Sequence, residues 1–258
     1  MPQLLAEIHL MGLFNNLFSS AKLSKPVDFS VLRTDMHAHL IPGIDDGAEN
    51  MDKSIELIKG MIDLGYQKLI TTPHIQGDFY KNSPQNILPG LDQVRRELKR
   101  QNLSVTLEAA AEYLIDDQFE DKYKSGPLMT FGNNYLLIEF SYFNEHPTWK
   151  RFLFDLQIDG YNIVLAHPER YSYWFRSFNK FEELKDRGIL FQVNLISLTG
   201  YYSMEVKKMA EKFIDAGMID FAGSDMHNLI YLEALRNTRL EPYLEKLINS
   251  GKLLNSKI

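Results

Sequence analysis

The chain alternates short apolar runs with longer segments in which apolar residues recur at helical spacing. The short runs predict buried strands, and the longer periodic segments predict amphipathic helices. We predict seven strands, at residues 31–37, 68–72, 105–110, 135–138, 162–166, 190–194 and 219–223. We predict helices at residues 51–64, 84–101, 116–124, 148–159, 178–187 and 204–216, with further helices closing the chain.

Strands that alternate with helices are typical of βαβ units, which build a parallel sheet. The predicted strands are apolar on both faces, as buried parallel strands are. We therefore expect an α/β fold, as one closed or nearly closed (β/α)7 barrel over residues 31–258. An open doubly wound sheet is the alternative.

Residues 1–30 look unlike the rest and are predicted to form an N-terminal extension. Leu13, Phe14, Leu17 and Phe18 fall on one helical face. We expect a short helix packed against the domain, and the alternative is a segment within residues 11–20 that contacts a membrane or a partner.

Composition narrows the function classes. The net charge is −6 without a basic block, so we expect no nucleic-acid partner. The chain has no cysteine, which excludes a disulfide framework and a cysteine nucleophile. The sequence contains no apolar run of about 18 residues, so we predict no transmembrane helix. The first residues lack the pattern of a signal peptide. A cytoplasmic protein is therefore expected, and the oligomeric state is left open.

Acids and histidines follow the predicted strands, at the ends where α/β folds build their sites. Isolated buried charges are strongly disfavoured unless they are paired or coordinated, so the whole set predicts bound metal. Glu139 could instead belong to a buried ion pair, and His167 could be a hydrogen-bonded core histidine. The candidate metal ligands are His37, His39, Asp46, His74, Glu112, Glu139, His167, Asp225 and His227.

The first predicted strand supplies two candidate ligands, His37 and His39. Strand alternation places both side chains on one face, about 7 Å apart. A turn then brings Asp45 and Asp46, and the residues alone do not decide which of these carboxylates joins the site.

The chemistry of these ligands points to hydrolysis. Imidazole and carboxylate without thiolate suit manganese, iron or zinc. So many ligands suit two or three ions, which generate hydroxide near neutral pH and clamp a displacement at phosphorus. Arg170 offers a planar fork for phosphate oxygens, although it could instead be a surface residue paired with Glu169.

The candidate residues lie in short motifs along the chain. These are Asp35-Met36-His37-Ala38-His39 with Asp45-Asp46-Gly47, Thr72-Pro73-His74, Ala111-Glu112, Leu137-Ile138-Glu139-Phe140, Ala166-His167-Pro168-Glu169-Arg170 and Ala222-Gly223-Ser224-Asp225-Met226-His227-Asn228. Together these motifs resemble the PHP (polymerase and histidinol phosphatase) superfamily. The chain is most similar to its bacterial protein-tyrosine phosphatases of capsule and exopolysaccharide loci, the CpsB/YwqE-like family.

The resemblance implies a distorted TIM-like barrel and a three-metal, usually Mn²⁺, cluster. It implies one ion held by His37, His39, Glu112 and Asp225, a second by Glu112, Glu139 and His167, and a third by Asp46, His74 and His227. Arg170 would bind the phosphoryl group, with Asp46 and His227 as further catalytic groups. A metal-bridging hydroxide would attack the phosphotyrosine tail of a bacterial tyrosine autokinase, through which the protein could also approach a membrane.

Other functions stay open from the sequence. A small-molecule phosphomonoesterase, such as one acting on histidinol phosphate, is the enzymatic alternative, and an assembly protein with a purely structural cluster is the non-enzymatic one. Some family members carry basic residues after the third histidine, whereas this chain has Ile75-Gln76-Gly77-Asp78, so tail recognition is expected to differ. The aromatic loop at residues 171–175 could stack on a substrate ring or pack in the core.

Overall fold

The computed structural model describes residues 22–258. Its strands are β1 Thr34–Ala38, β2 Lys68–Thr71, β3 His74–Ile75, β4 Thr106–Ala109, β5 Glu112–Leu114, β6 Tyr135–Glu139, β7 Asn162–Ala166, β8 Leu190–Asn194 and β9 Phe221–Gly223. Its α-helices are α1 Met51–Asp63, α2 Pro84–Arg100, α3 Phe119–Lys124, α4 Trp149–Ile158, α5 Asn179–Asp186, α6 Met204–Asp215, α7 Leu229–Thr238 and α8 Pro242–Asn249.

All strand pairs are parallel, in the orders β1-β2-β4 and β3-β5-β6-β7-β8-β9. A parallel bridge between Ala38 and Met226 brings the chain after β9 against the end of β1. The strand order runs in one direction around the molecule, without the reversal of a doubly wound sheet. The α/β prediction is confirmed, and the arrangement is that of a distorted barrel.

Two short strands lie beyond the predicted strand ends. β3 follows β2 beyond Pro73, and β5 follows β4 beyond Ala110 and Ala111. Proline has no N–H for a ladder, so the pairing of β2 breaks at Pro73. β2 and β4 belong to the three-stranded sheet, whereas β3 and β5 belong to the six-stranded sheet.

The first strand begins later than predicted. Val31 closes a 3₁₀ turn at Phe29–Val31 and is 52% exposed. Asp28 caps this turn by accepting a hydrogen bond from the Ser30 amide, and a side chain that bonds the local backbone in this way favours turns over strands. The prediction that the first strand begins at the apolar pair Val31–Leu32 is therefore wrong, because β1 begins at Thr34.

The core has two apolar clusters. The larger cluster lies between strands and helices, where the rings of Phe181, Phe191 and Phe213 meet edge to face. The smaller cluster takes residues from neighbouring strands, such as Met36 and Leu137, and fills the space within the ring of strands. This packing fixes the strand ends that carry the site.

The chain before β1 lies against the last helices. The Leu23 and Val27 amides donate to the carbonyls of Leu240 and Arg239. The helix predicted within residues 11–20 lies outside the described residues, and the domain boundary at residue 30 stays a prediction. Within residues 22–258, no helix combines the length and apolarity that crossing a bilayer would need.

Candidate metal centre and active site

All nine candidate ligands lie in one cluster at the carboxyl ends of the strands. Eight are buried, and only the Asp46 side chain, at 53%, is substantially exposed. Donor atoms lie within 4.8 Å of one another in four groups. These groups are His39, Asp46, His74 and His227; His37, His167 and Asp225; His37, His39 and Glu112; and His74, Glu112 and Glu139.

Glu112, at the start of β5, occupies the middle of the cluster. Its Oε2 lies 3.2 Å from His37 Nε2, 3.5 Å from His39 Nε2 and 3.1 Å from His74 Nδ1. Its Oε1 lies 3.0 Å from His167 Nε2. One carboxylate thus touches four imidazoles, which is the position of a bridging ligand.

The backbone of β1 brings both of its histidines to this centre. The register of β1 against β2 shifts between Asp35 and Ala38, so the strand is irregular where His37 lies. His37 and His39 bring their Nε2 atoms within 3.3 Å of each other. Local irregularity next to a site re-aims side chains, as bulges commonly do.

Three histidines are oriented through their Nδ1 atoms. The Nδ1–H of His37 donates to Gln192 Oε1 at 2.9 Å, and that of His39 donates to Asp45 Oδ2 at 2.8 Å. His227 Nδ1–H donates to the Asp225 carbonyl at 2.8 Å. With Nδ1 held in this way, each Nε2 faces the cluster and can offer its lone pair to a metal ion, which is how metal-binding histidines are arranged.

The two adjacent aspartates have different places. Asp46 Oδ1 lies 3.4 Å from the Nε2 atoms of both His74 and His227. Asp45 instead holds His39 and accepts hydrogen bonds from the amides of His74 and Gly47. Asp46 is thus the carboxylate within the cluster, and Asp45 orients the loop and an imidazole.

The geometric groups differ in part from the sets implied by the family resemblance. His167 lies near Glu139, at 3.9 Å, but it also groups with His37 and Asp225. His39 joins the outer group as well. The ligand assignment ion by ion therefore stays a prediction, whereas the convergence of all nine side chains is observed.

One buried carboxylate oxygen fits a metal better than a hydrogen bond. Glu112 Oε2 makes no hydrogen bond of normal geometry, although imidazole nitrogens surround it. Buried polar groups are nearly always satisfied, so this oxygen marks a position where an ion would complete the site. His167 meets the cluster through Nε2, which lies 3.0 Å from Glu112 Oε1 and 3.4 Å from the Tyr142 hydroxyl. Its role as a metal ligand, rather than a hydrogen-bonded histidine, stays a prediction.

Charge separation within the cluster is strong. Burial alone would raise the carboxyl pKa of Glu112, but His37 and His74 outweigh it and hold that pKa well below its ordinary value. Burial alone would lower the pKa of His74, but Glu112 and Glu139 overcome both it and the repulsion from His39, raising that pKa to about 10. A metal ion that binds His74 must displace its proton, which makes the metal affinity dependent on pH.

Two candidate ligands lie in backbone conformations that residues with a side chain rarely adopt. His167 has φ = 34° and Asp225 has φ = 52°. Both follow directly or closely on strand ends, and such strain persists only where the surroundings enforce it. Its presence at two predicted ligands agrees with a functional site.

Arg170 forms part of the wall beside the cluster. Its guanidinium lies 4.3 Å from the Tyr142 ring centre and 4.1 Å from that of Tyr202, and its Nη1 donates to Asp225 Oδ2 at 3.2 Å. Burial would lower its pKa, but the tyrosines and Asp225 raise it above the ordinary value. Pairing with Glu169, the alternative read from the sequence, is not observed.

Glu169 is held by hydrogen bonds from residues other than Arg170. It is fully buried and accepts hydrogen bonds from the Asn194 amide and the Ser197 hydroxyl. Asn194 Nδ2 in turn donates to Asp225 Oδ2 at 2.8 Å and to the Tyr202 hydroxyl. This network fixes Asp225 and the tyrosine behind Arg170.

Sequence reasoning missed the polar residues of β8. Gln192 and Asn194 are both fully buried, yet they lie in a strand that was read only as apolar. Their signal was present, because two polar residues at period two in a buried strand mark one face that needs hydrogen-bond partners.

A cavity of about 420 Å³ opens above the cluster. Aromatic side chains form much of its wall: Phe79, Tyr80, Phe140, Tyr142, Phe143 and Tyr231. The loop at residues 171–175 is not among the lining residues, because Tyr171 and Trp174 are buried in the core. For that loop the packing interpretation is correct, and any substrate ring must contact other residues.

Comparison with known proteins agrees with this geometry. The model of the family described as capsular polysaccharide synthesis, CpsB/CapC, matches residues 33–246. The tyrosine-protein phosphatase YwqE of Bacillus subtilis is 31% identical over 197 residues, covering 76% of this chain and 77% of YwqE. The putative tyrosine-protein phosphatase CapC of Staphylococcus aureus is 30% identical over 230 residues, covering 85% and 90%.

The fold is also similar to a solved structure. A chain from the crystal structures of Bacillus subtilis YwqE and Streptococcus pneumoniae CpsB, described as unique metal-dependent tyrosine phosphatases, superposes with a TM-score of 0.76 at 28% identity. The match covers 84% of this chain and 90% of that one. The family model includes every residue of the cluster and Arg170. This chain belongs to the CpsB/CapC family of capsular polysaccharide synthesis proteins.

Proposed function

We propose that this protein is a metal-dependent protein-tyrosine phosphatase. The observation that carries the proposal is the orientation of His37, His39 and His227, whose Nδ1 atoms are tied down while their Nε2 atoms face buried carboxylates. Imidazoles held in this way bind metal, and the cavity above them is lined by an arginine and aromatic rings.

The nine clustered side chains would hold the metal ions, with Glu112 as the shared carboxylate. Their nitrogen and oxygen donors suit manganese, and also iron or zinc. Bound there, the ions would supply an activated water and would neutralise phosphate charge. We propose Mn²⁺ as the resident metal and three ions as the number.

The chain's own residues would perform the remaining tasks. Arg170 would donate hydrogen bonds to two phosphoryl oxygens, a geometry that a guanidinium fork favours. Tyr142 and Tyr202 restrict it to one orientation, which reduces the entropy lost when phosphate binds. We further propose Asp46 and His227 as catalytic groups, because both lie at the cavity end of the cluster.

The proposed substrate is phosphotyrosine in the tail of a bacterial tyrosine autokinase of capsule or exopolysaccharide synthesis. The cavity of about 420 Å³ has the size of a small-ligand pocket, and a flexible tail can present a phosphotyrosine side chain to it. The reaction would take place in the cytoplasm, where such a kinase uses ATP.

The test measures phosphate release from a phosphotyrosine peptide. Metal-stripped protein should be inactive, and added manganese should restore turnover. Arg170→Lys keeps the charge but loses the fork, so we expect kcat/KM to fall by about 10²-fold, as for loss of one transition-state donor. The matched control is Arg187→Lys, at an exposed arginine directly after the last residue of α5.

The alternative substrate class is tested in the same assay. Histidinol phosphate should be hydrolysed far more slowly than the peptide. Absence of peptide hydrolysis at every metal tested, with rapid hydrolysis of histidinol phosphate, would replace the proposal by a small-molecule phosphatase.

A further inference from the structure

The two most exposed large apolar side chains in residues 22–258 lie at the same cavity. Phe143 is 90% exposed and Phe79 is 79% exposed, and both line the space above the metal cluster. In this part of the chain neither ring packs against another aromatic ring. A single exposed phenylalanine needs no explanation, but two on separate loops that line one cavity indicate a surface that is covered in use.

Phe79 is presented by a rigid loop. Gln76 and Tyr80 pair through two backbone hydrogen bonds, so Phe79 lies at the tip of a tight hairpin. The base of this hairpin is tied to the cluster, because Gln76 Nε2 donates to Glu139 Oε1 at 2.8 Å and the Tyr80 ring stacks on His74. The backbone that carries Phe79 is therefore held in place relative to the candidate metal ligands.

The hairpin is also fixed from outside. The Gly77 amide donates to Asp116 Oδ2 at 2.8 Å, and Gln118 Nε2 donates to Asp78 Oδ1 at 2.7 Å. A Cβ at Gly77 would lie 2.5 Å from the Gln118 side chain, so the loop packs closely there. A loop braced on both sides does not fold Phe79 away into the core.

Phe143 lies on a different loop that lines the same cavity. It follows β6, three residues after Phe140, whose ring meets Trp174 edge to face, and directly after Tyr142, which covers Arg170. The Phe143 amide donates to Ser141 Oγ at 3.2 Å, which closes a local turn. The chain thus carries one aromatic ring onto the arginine and the next to the rim.

We propose that Phe79 and Phe143 form an aromatic clamp that binds the phenyl ring of phosphotyrosine and selects aryl over alkyl phosphates. This inference rests on the proposed phosphatase function. A phosphate at Arg170 and the cluster places its attached ring in the cavity mouth, where the two phenylalanines bury it. Phosphoserine has no ring to fill this space, so it gains nothing from the clamp.

The clamp is expected to act on binding rather than on chemistry. The ring contacts are the same in substrate and transition state, so losing them raises KM and leaves kcat nearly unchanged. Phe79→Ala and Phe143→Ala should each raise the KM for a phosphotyrosine peptide by about tenfold. Phe143→Tyr, which keeps a ring, should restore most of the binding.

The experiment uses manganese-loaded full-length protein and three ligands. They are the phosphotyrosine peptide, the same peptide carrying the non-hydrolysable mimic phosphonomethyl-phenylalanine, and inorganic phosphate. The alanine variants should bind the mimic about tenfold more weakly in calorimetry while inhibition by inorganic phosphate stays within about twofold. Phe154→Ala removes a ring that is 59% exposed on α4 and should change none of these values.

The outcomes separate this inference from the proposed function. Unchanged mimic binding in the Phe79→Ala/Phe143→Ala double variant, or an equal loss in Phe154→Ala, would overturn the clamp. Weakened inhibition by inorganic phosphate would also overturn it, because the phenylalanines would then act through the cluster. If the alanine variants bind the mimic more weakly but the wild type does not hydrolyse the peptide, the clamp is supported and the proposed phosphatase activity is refuted.

Discussion

Among single residues, Gln192 illustrates how a side chain outside the candidate ligand set controls the site. Its Oε1 accepts hydrogen bonds from His37 Nδ1 and the His167 amide. Gln192→Leu frees the imidazole to take the wrong tautomer, so we expect metal affinity to fall by about 10–100-fold. Manganese titration by calorimetry measures this, with Gln85→Leu on an exposed face of α2 as control. Equal affinities in wild type and Gln192→Leu would refute this role.

Asp35 provides a prediction for stability against pH. Burial raises the pKa of its carboxyl from 3.8 to about 7, although two hydrogen bonds from Ser224 oppose the shift. Between these values the folded chain holds a proton that the unfolded chain has lost. The contribution of Asp35 to the free energy of unfolding therefore decreases as pH rises from about 4 to about 7.

Asp35→Asn removes this titration and can keep both contacts with Ser224. We expect the metal-free variant to gain stability relative to wild type across that window, by on the order of 4 kcal/mol at its upper end. Urea unfolding at several pH values, followed by circular dichroism, measures the difference. A difference that does not change with pH would contradict the assignment.

On the scale of elements, the loop between β1 and α1 is held by a close backbone approach. A Cβ at Gly47 would lie 2.3 Å from the His39 carbonyl oxygen and 2.4 Å from its Cβ, so only glycine fits. Gly47→Ala must move the loop that carries Asp46. We expect a loss of about 1–3 kcal/mol in unfolding free energy, as for overpacking, and fewer bound metal ions per chain.

Urea midpoints and elemental analysis of the purified protein test this prediction. Glu49→Ala, an exposed position of the same loop, is the control and should retain both stability and metal. A Gly47→Ala variant with full metal content would show that the loop adapts without displacing the carboxylate.

For the whole molecule, the candidate metal ligands come from strands around the barrel. They follow or lie in β1, β3, β5, β6, β7 and β9, so bound ions would cross-link elements that are distant in sequence. Stripping the metal with a chelator should lower Tm, and added manganese should raise it again in a concentration-dependent way. The rise should be smaller at pH 5.5, where protons compete for the imidazoles.

A ligand variant makes this test specific. His39→Ala should show a much smaller rise in Tm with manganese, while His146→Ala, a change at a loop histidine bonded to Asp117, should respond as wild type does. An equal response in both variants would show that manganese stabilises the chain elsewhere.

The sequence by itself determined the fold class and the candidate residues. Short apolar runs and helical periodicity predicted the alternation of strands and helices, because burial of these residues dominates folding. His37, Glu112 and Asp225 were found because charged groups after buried strands are costly without a partner. The family motifs then added the phosphatase resemblance.

Only the tertiary structure decided how these residues meet. The choice of Asp46 over Asp45, the tethering of His37 by Gln192 and the stacking of Arg170 between two tyrosines all join residues distant in sequence or depend on the path of a loop. In the structure the loop at residues 171–175 packs in the core, whereas Phe79 and Phe143 lie exposed at the cavity. Aromatic residues have the same hydrophobicity in both places, so only the packing of the whole chain distinguishes a core ring from a ring available to a ligand.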